Sequence, residues 1–377
     1  MAWLTGYTTR RKLTINYSKV DSALSDFPVL VKLTSTNFNF SKANSDGFDI
    51  RFTSSDGTTL LKYERERHDS TNSLAEYWVK VPSVSSTSNT DIYIYYRTTD
   101  TADGADPTNV WDSSFGLVYH MKNATTTTVA DSTTNGFTGT KTDANGPLEE
   151  NSMIAKGQVF DGTNDEIDTV DDPFAAADFT TNGATLECFF KTPGSESPDR
   201  YIVSLEGYLT IGTTYADGKI RATTDGGVNF LFSTASRSDN VWHHAAIVWD
   251  PNGTPTAYLY INGSQEATHA AGGPALSTTR PFAVGEHSAG AHFFVGSVDE
   301  VRISKTARSA AWVKATNSTG RNTLLTYGSE ETPGINTKIN ISDVWKDASE
   351  MKINIGDAWK DVTEVKINIG DSWKTVF

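Results

Sequence analysis

Asp165-Glu166-Ile167-Asp168-Thr169-Val170-Asp171 sets four carboxylates within seven residues. Side chains alternate along a β-strand, so Glu166 and Asp168 would share one face. Two carboxylates on one face are what a retaining glycoside hydrolase uses as nucleophile and helper. The seven histidines show no metal-ligand spacing. His243 and His244 are neighbours on a strand-like stretch, so their rings leave opposite faces and cannot chelate one ion; one is expected in the core and the other at the surface. No Gly-x-Ser-x-Gly elbow, phosphate loop or Gly-x-Gly-x-x-Gly run occurs, which leaves serine-hydrolase and nucleotide chemistry without support. Binding is the other chemistry on offer. Tyr208, Tyr215, Asp217, Asp225, His287 and His292 lie in loop-like stretches, where a ring face beside polar groups can take a sugar.

The elements that must position these residues are almost all strands. Lys12-Leu13-Thr14-Ile15, Val29-Leu30-Val31-Lys32-Leu33 and Asp91-Ile92-Tyr93-Ile94-Tyr95-Tyr96 alternate between clusters of Gly, Asp, Asn and Ser. The best helical stretch, Ser309 to Thr316, is short. Many short strands with polar turns predict an all-β chain of two β-sandwich domains. Breaks at 98–109 and 330–334 divide it into 1–109, 110–330 and a tail, 331–377.

The tail repeats at a period of fourteen residues, starting at Lys338, Lys352 and Lys366. Each unit alternates, breaks at Gly-Asp or Ser-Asp, and resumes with Trp-Lys, which predicts a tight hairpin. Ile339, Ile341, Trp345, Ile353, Ile355, Trp359, Ile367, Ile369 and Trp373 are its apolar positions, with each tryptophan available to cover the isoleucines of its unit. A lone two-stranded hairpin is marginal in water, so these faces are expected to be covered by other copies of the chain. A homo-oligomer follows, with a trimer as the guess from symmetry.

A net charge of −14 argues against nucleic-acid phosphates and anionic lipid as partners, and no apolar run reaches the length of a membrane span. Cys188 is the only cysteine, so there is neither an intrachain disulfide nor a zinc cluster of thiolates, and its alternating surroundings place it in a core.

Several patterns in the middle segment resemble a LamG-like, concanavalin A-like jelly roll. They are Val118-Tyr119-His120-Met121, Phe160-Asp161-Gly162-Thr163-Asn164-Asp165, Val241-Trp242-His243-His244-Ala245, Ala257-Tyr258-Leu259-Tyr260-Ile261-Asn262-Gly263 and Gly296-Ser297-Val298-Asp299-Glu300-Val301-Arg302-Ile303. Asp26-Phe27-Pro28-Val29, Asp49-Ile50-Arg51-Phe52 and Tyr77-Trp78-Val79-Lys80-Val81-Pro82 are similar to an uncharacterised β-rich domain found upstream of such modules in prokaryotic surface and phage virion proteins. The tail resembles short repeats at the C-termini of phage structural proteins. Related jelly rolls often carry a structural calcium ion, which implies Asp299, with Asp131 nearby, as ligands here. The jelly-roll β-glucanases carry a Glu-x-Asp run of the kind at Glu166; their acid–base position falls on Asp171, while Phe160-Asp161-Gly162 assigns the stretch to an early strand of the LamG-like pattern.

These resemblances imply a non-enzymatic virion structural or adhesion protein, a fibre, spike or decoration assembled in the host cytoplasm with other virion proteins, that presents its jelly roll to host-surface glycans. The start of the chain, Met1-Ala2-Trp3-Leu4, carries no export pattern, which fits that route. The alternatives are a prokaryotic cell-surface adhesin and a jelly-roll polysaccharide hydrolase.

Overall fold

The structure is a computed structural model. It describes residues 2–98, 102–124, 127–141, 146–169, 174, 177–194, 198–205, 208–252, 254–270, 273, 282–287 and 292–333, with the backbone of the tail strands. The first module contributes β1 (Thr9–Ile15), β2 (Leu24–Thr34), β3 (Arg51–Ser54), β4 (Leu60–Leu61), β5 (Tyr63–Asp69), β6 (Leu74–Val84) and β7 (Thr90–Tyr96). The second runs from β8 (Phe115–Tyr119) through β9 (Thr128–Val129), β10 (Gly139–Lys141), β11 (Leu148–Asn151), β12 (Lys156–Asp161), β13 (Ile167–Thr169), the short α1 (Ala177–Thr180), β14 (Ala184–Lys191), β15 (Arg200–Leu205) and β16 (Leu209–Thr213). It continues with β17 (Lys219–Thr223), β18 (Leu231–Ser236), β19 (His243–Asp250), β20 (Thr256–Ile261), β21 (Ser264–Ala270), β22 (Phe282–Val284) and β23 (Val295–Ser304), then α2 (Ala310–Gly320) and β24 (Leu325–Glu331).

Alternation in β7 explains the first sandwich. Ile92, Ile94 and Tyr96 enter the core between the sheet β24-β1-β7-β3-β4 and the sheet β2-β6-β5. Tyr93 and Tyr95 leave by the other face. There the Arg10 guanidinium lies 4.2 Å from the Tyr93 ring centre and 4.3 Å from that of Trp3, so an arginine and an N-terminal tryptophan cover the outer tyrosines.

The fifth strand of that sheet comes from the far end of the chain. β24 pairs with β1 in antiparallel register, Leu13 against Tyr327 and Ile15 against Leu325, and Arg10 meets Glu331 at 2.8 Å. The first module therefore closes only after the second has been traversed. The core crosses the linker as well: Trp111, Phe115, Val118, Ile154 and Trp312 belong to the same buried cluster as Phe27, Val29 and Trp78. α2, capped by the Ser309 side chain on the Trp312 N–H, docks on β2, where the Leu30 N–H donates to Thr319 Oγ1 at 2.8 Å.

The second module is a pair of facing sheets, β18-β17-β16-β15-β22-β13-β10-β9 and β11-β12-β23-β14-β19-β20-β21, with β8 added beside β23. Leu186, Cys188 and Phe190 of β14 enter the core between them, with Ile211, Ile220, Val284 and Ile303. The sequence reading of Cys188 as a core residue holds: it is wholly buried, and burial pushes its thiol well above the usual range.

The tail forms three separate hairpins, Thr337–Ile341 with Val344–Ala348, Lys352–Ile355 with Ala358–Asp361, and Lys366–Ile369 with Ser372–Thr375. The predicted turns at 342–343, 356–357 and 370–371 lie outside the described residues. The register pairs Asn354 with Trp359 and Ile353 with Lys360, so each tryptophan position stands opposite an asparagine rather than an isoleucine. The side chains of Ile339, Ile341, Trp345, Ile353, Ile355, Trp359, Ile367, Ile369 and Trp373 lie outside the described residues.

Candidate functional site

The sheet ending in β18 has one face in the core and one turned away from it. Leu231, Ile220, Ala222, Leu209, Ile211, Val203, Val284 and Ile167 point inward. Their neighbours Phe232, Arg221, Thr210, Gly212, Ser204, Ala283 and Asp168 therefore take the other face. Cross-strand register lines up Phe232, Arg221, Gly212 and Tyr201 in one row. The Arg221 guanidinium lies 4.7 Å from the Tyr201 ring centre and 5.0 Å from that of Phe230. Its Nη1 meets Asp199 Oδ2 at 2.7 Å. Asp199 also accepts the Tyr215 N–H through Oδ1 at 2.9 Å, and its carbonyl lies 2.8 Å from His292 Nδ1.

Pro198, Asp199, Tyr201, Tyr215, Arg221 and His292 line a recess of about 410 Å³. Tyr215 is 53% exposed, so a ring face stands in solvent beside a fixed guanidinium–carboxylate pair. That combination can stack on a pyranose and exchange hydrogen bonds with its hydroxyls.

The structure thus brings Tyr215 and His292 together, and His287 sits close by, its ring centre 4.7 Å from that of Tyr201. The other three sequence candidates do different work. Asp217 accepts from the Thr214 hydroxyl and the Lys219 N–H, which holds its carboxyl down at about 2 and builds the β16–β17 turn. Asp225 accepts from Thr223 and twice from Asn229, closing the next turn. Tyr208 packs so closely on Gly226 that a Cβ there would lie 2.8 Å from its ring. Asp199, Tyr201 and Arg221 were missed because alternation alone does not say which face of a strand is open.

Three carboxylates lie at the paired strands β13 and β22, Asp168 on β13, Glu166 just before it and Glu286 two residues after β22. Glu166, Asp168 and Glu286 each place an oxygen within 4.8 Å of the others, so Glu166 and Asp168 do share a face. Burial, reinforced by Glu166, pushes the Asp168 carboxyl up to about 7. Asp171 lies outside the described residues. A larger recess in the first module, about 690 Å³, is lined by Ser35, Thr36, Asn39, Ser41, Ser45 and Arg11 among others. Its aromatic residues, Phe38 and Phe40, are buried, so the smaller recess, with the exposed Tyr215 ring, is the better candidate despite its size.

The two adjacent histidines part as expected by face. His243 sits 3.0 Å from Asp239 and accepts from Asn262 at 3.0 Å, whereas His244 is buried 3.3 Å from Glu187. Both are largely enclosed, so neither is the surface residue that the sequence led us to expect.

Asp131 and Asp299, the implied calcium ligands, have separate surroundings. Both oxygens of Asp131 are occupied, by the N–H groups of Val118, Thr133 and Phe137 and the Thr133 hydroxyl. An ion there would have to displace them. Asp299 is wholly buried and accepts the Ile154 N–H at 2.8 Å. Burial, then Glu300 and Glu66, hold its carboxyl well above the usual range.

Asp299 belongs to a polar junction between the modules. His120 Nδ1 is 2.7 Å from Glu300 Oε1, and its Nε2 is 3.0 Å from Glu64 Oε2. Trp78 and Trp111 donate their indole N–H groups to Glu66 and Glu64, each at 2.7 Å. Arg302 pairs with Glu300 and lies 4.3 Å from the Trp78 ring centre. Burial opposes charge on His120, but Glu300 and Glu64 outweigh it and carry the imidazole up to about 10. Burial and Glu300 raise Glu66 to about 8. Glu300 and Met121, which follows His120, have φ of 50° and 58°, and the former sits at a bulge of β23 against β14.

Two family models match the chain. Residues 161–314 match the concanavalin A-like lectin/glucanases superfamily, and residues 46–169 match a domain of unknown function, DUF2341. No curated protein matches the chain. Domain 4 of an extracellular arabinanase from Geobacillus stearothermophilus, solved with arabinotriose, is 19% identical over 53% of this chain and 97% of its own, with a TM-score of 0.43. The binding domain of Paraclostridial Mosquitocidal Protein 1 is 14% identical over 55% of this chain, with a TM-score of 0.43; the match spans 52% of that domain. The receptor-binding domain of botulinum neurotoxin type G is 12% identical over 70% of each chain, with a TM-score of 0.41. The chain carries a concanavalin A-like jelly-roll domain preceded by a domain of unknown function.

Proposed function

We propose that this chain is a non-enzymatic carbohydrate-binding protein that presents its jelly roll on an assembly held together by the C-terminal repeats. The observation that carries the reading is the recess beside Tyr215, where an exposed ring adjoins the Asp199–Arg221 pair and His292. Single sugar contacts of this size are weak, and several copies on one particle would raise them through avidity. The assembly we favour is a virion fibre, spike or decoration, for which the three successive hairpins are the support. A cell-surface adhesin would use the same recess. A structural calcium ion remains part of this proposal through Asp299, since the carboxylate of Asp131 is fully engaged. Binding of the whole chain to a panel of neutral and acidic glycans tests the reading; no retention by any of them contradicts it.

One observation favours a second reading, hydrolysis: the Glu166, Asp168 and Glu286 oxygens sit together, and burial with Glu166 pushes the Asp168 carboxyl up to about 7. Release of reducing ends from laminarin or mixed-linkage β-glucan, abolished by Glu166→Gln, would support it. We expect no release by the wild-type chain.

A further inference from the structure

The junction between the modules has the geometry of a metal site. One oxygen each of Glu66 and Glu300 and a ring nitrogen of His120 lie within 4.8 Å of one another. His120 Nδ1 stands 2.7 Å from Glu300 Oε1 and 3.7 Å from Glu66 Oε2. These separations bracket the ligand–ligand edge of about 3.3 Å that tetrahedral zinc requires with bonds near 2.0–2.1 Å.

The outer contacts match what a metal centre needs. His120 turns its other nitrogen to Glu64 at 3.0 Å, an arrangement that fixes the tautomer and orientation of a ligating imidazole. Trp78 holds Glu66 and Arg302 holds Glu300, each on one oxygen. The second oxygen of Glu66, Oε1, is buried and has no hydrogen-bond partner, in a residue only 7% exposed. A buried oxygen without a hydrogen-bond partner is open to a cation, whose binding would release the proton that burial and Glu300 otherwise keep on Glu66.

We propose that Glu66, His120 and Glu300 bind a divalent transition ion, zinc by preference, that ties the first module to the second. Glu66 comes from β5, whereas His120 and Glu300 belong to the jelly-roll segment. A nitrogen ligand among carboxylates suits zinc or manganese better than calcium, which takes oxygens. On binding, the Nδ1 proton leaves for solvent and its lone pair takes the metal, while the Nε2–H still donates to Glu64. The site is closed to solvent, so the ion enters as the chain folds.

The test needs the whole chain, refolded once with excess zinc and once with a chelator, then dialysed and assayed for metal. The inference predicts about one tightly held equivalent, a higher Tm for the zinc-refolded form, and visible absorption from protein-bound cobalt when cobalt replaces zinc. His120→Gln and Glu66→Gln should lose the metal, whereas Glu166→Gln, in the separate carboxylate group, should keep it. Absence of retained zinc and an unchanged Tm in the wild-type chain would overturn the inference whether or not the variants fold. Equal retention by a folded His120→Gln chain would overturn it too.

Discussion

Trp312→Ala is the substitution that most sharply asks whether the two modules stand or fall together. Trp312 is on α2, beyond the last jelly-roll strand, yet its ring meets Phe27 of the first module edge-on at 4.9 Å. Arg308 lies 4.0 Å over the same ring, and only 6% of the residue is exposed. Trimming a buried tryptophan to alanine costs about 3–5 kcal/mol, including the edge-to-face contact that is lost with it. With a guanidinium m-value near 4 kcal/mol/M, the midpoint should fall by about 1 M. Two probes are followed in the same titration. Tryptophan fluorescence reports the whole chain, and reaction of Cys188 with a thiol reagent reports the second module, where that thiol is wholly buried. A shared core and the β24–β1 pairing predict that both probes shift together by the full amount. If the Cys188 midpoint stays put while fluorescence moves, the modules unfold independently and the reasoning fails. A cost below about 1 kcal/mol would equally refute the packing argument.

Two further outcomes are expected. His68 lies 2.6 Å from the Tyr77 hydroxyl, and burial, with Arg65 adding, pushes its imidazole down to about 4. The unfolded chain takes up that proton first, so His68 contributes stability above pH 6.5 that is lost as pH falls through 4; the Tm difference between wild type and His68→Leu should move accordingly between pH 7 and 4, and a flat difference would contradict the assignment. Light scattering on the full chain and on one ending at Pro333 should show an oligomer becoming a monomer; the cut must spare Glu331, whose carboxylate meets Arg10. A monomer in both cases removes the tail as the assembly element.

Much of the fold was legible because strand alternation is a local property. The core face of β7, the burial of Cys188, the shared face of Glu166 and Asp168, and the paired strands of the tail can each be read from a few neighbouring residues. Long-range pairings could not be read this way. Nothing in Leu325-Thr326-Tyr327 announces that it completes a sheet begun at Thr9, since an edge strand looks the same wherever it pairs. The candidate site was half legible for the same reason. Tyr215 and His292 stood out as loop aromatics, whereas Tyr201 and Arg221 are strand residues whose open face depends on which sheet covers the other side. Asp217 and Asp225 build turns here, and turn-building aspartates and sugar-binding ones share the same local sequence. His120 was visible only as part of a family pattern; its partners Glu64 and Glu66 lie more than fifty residues away in the chain, beyond any local signal.

The most direct measurement of the central claim is the affinity of the whole chain for whichever glycan it retains, compared with that of Arg221→Ala. Removing the guanidinium deletes charged hydrogen bonds worth about 1.5–3 kcal/mol, so affinity should fall roughly 10–150-fold at a temperature where the variant is still folded. An unchanged affinity in the folded variant would place sugar binding elsewhere and contradict the account.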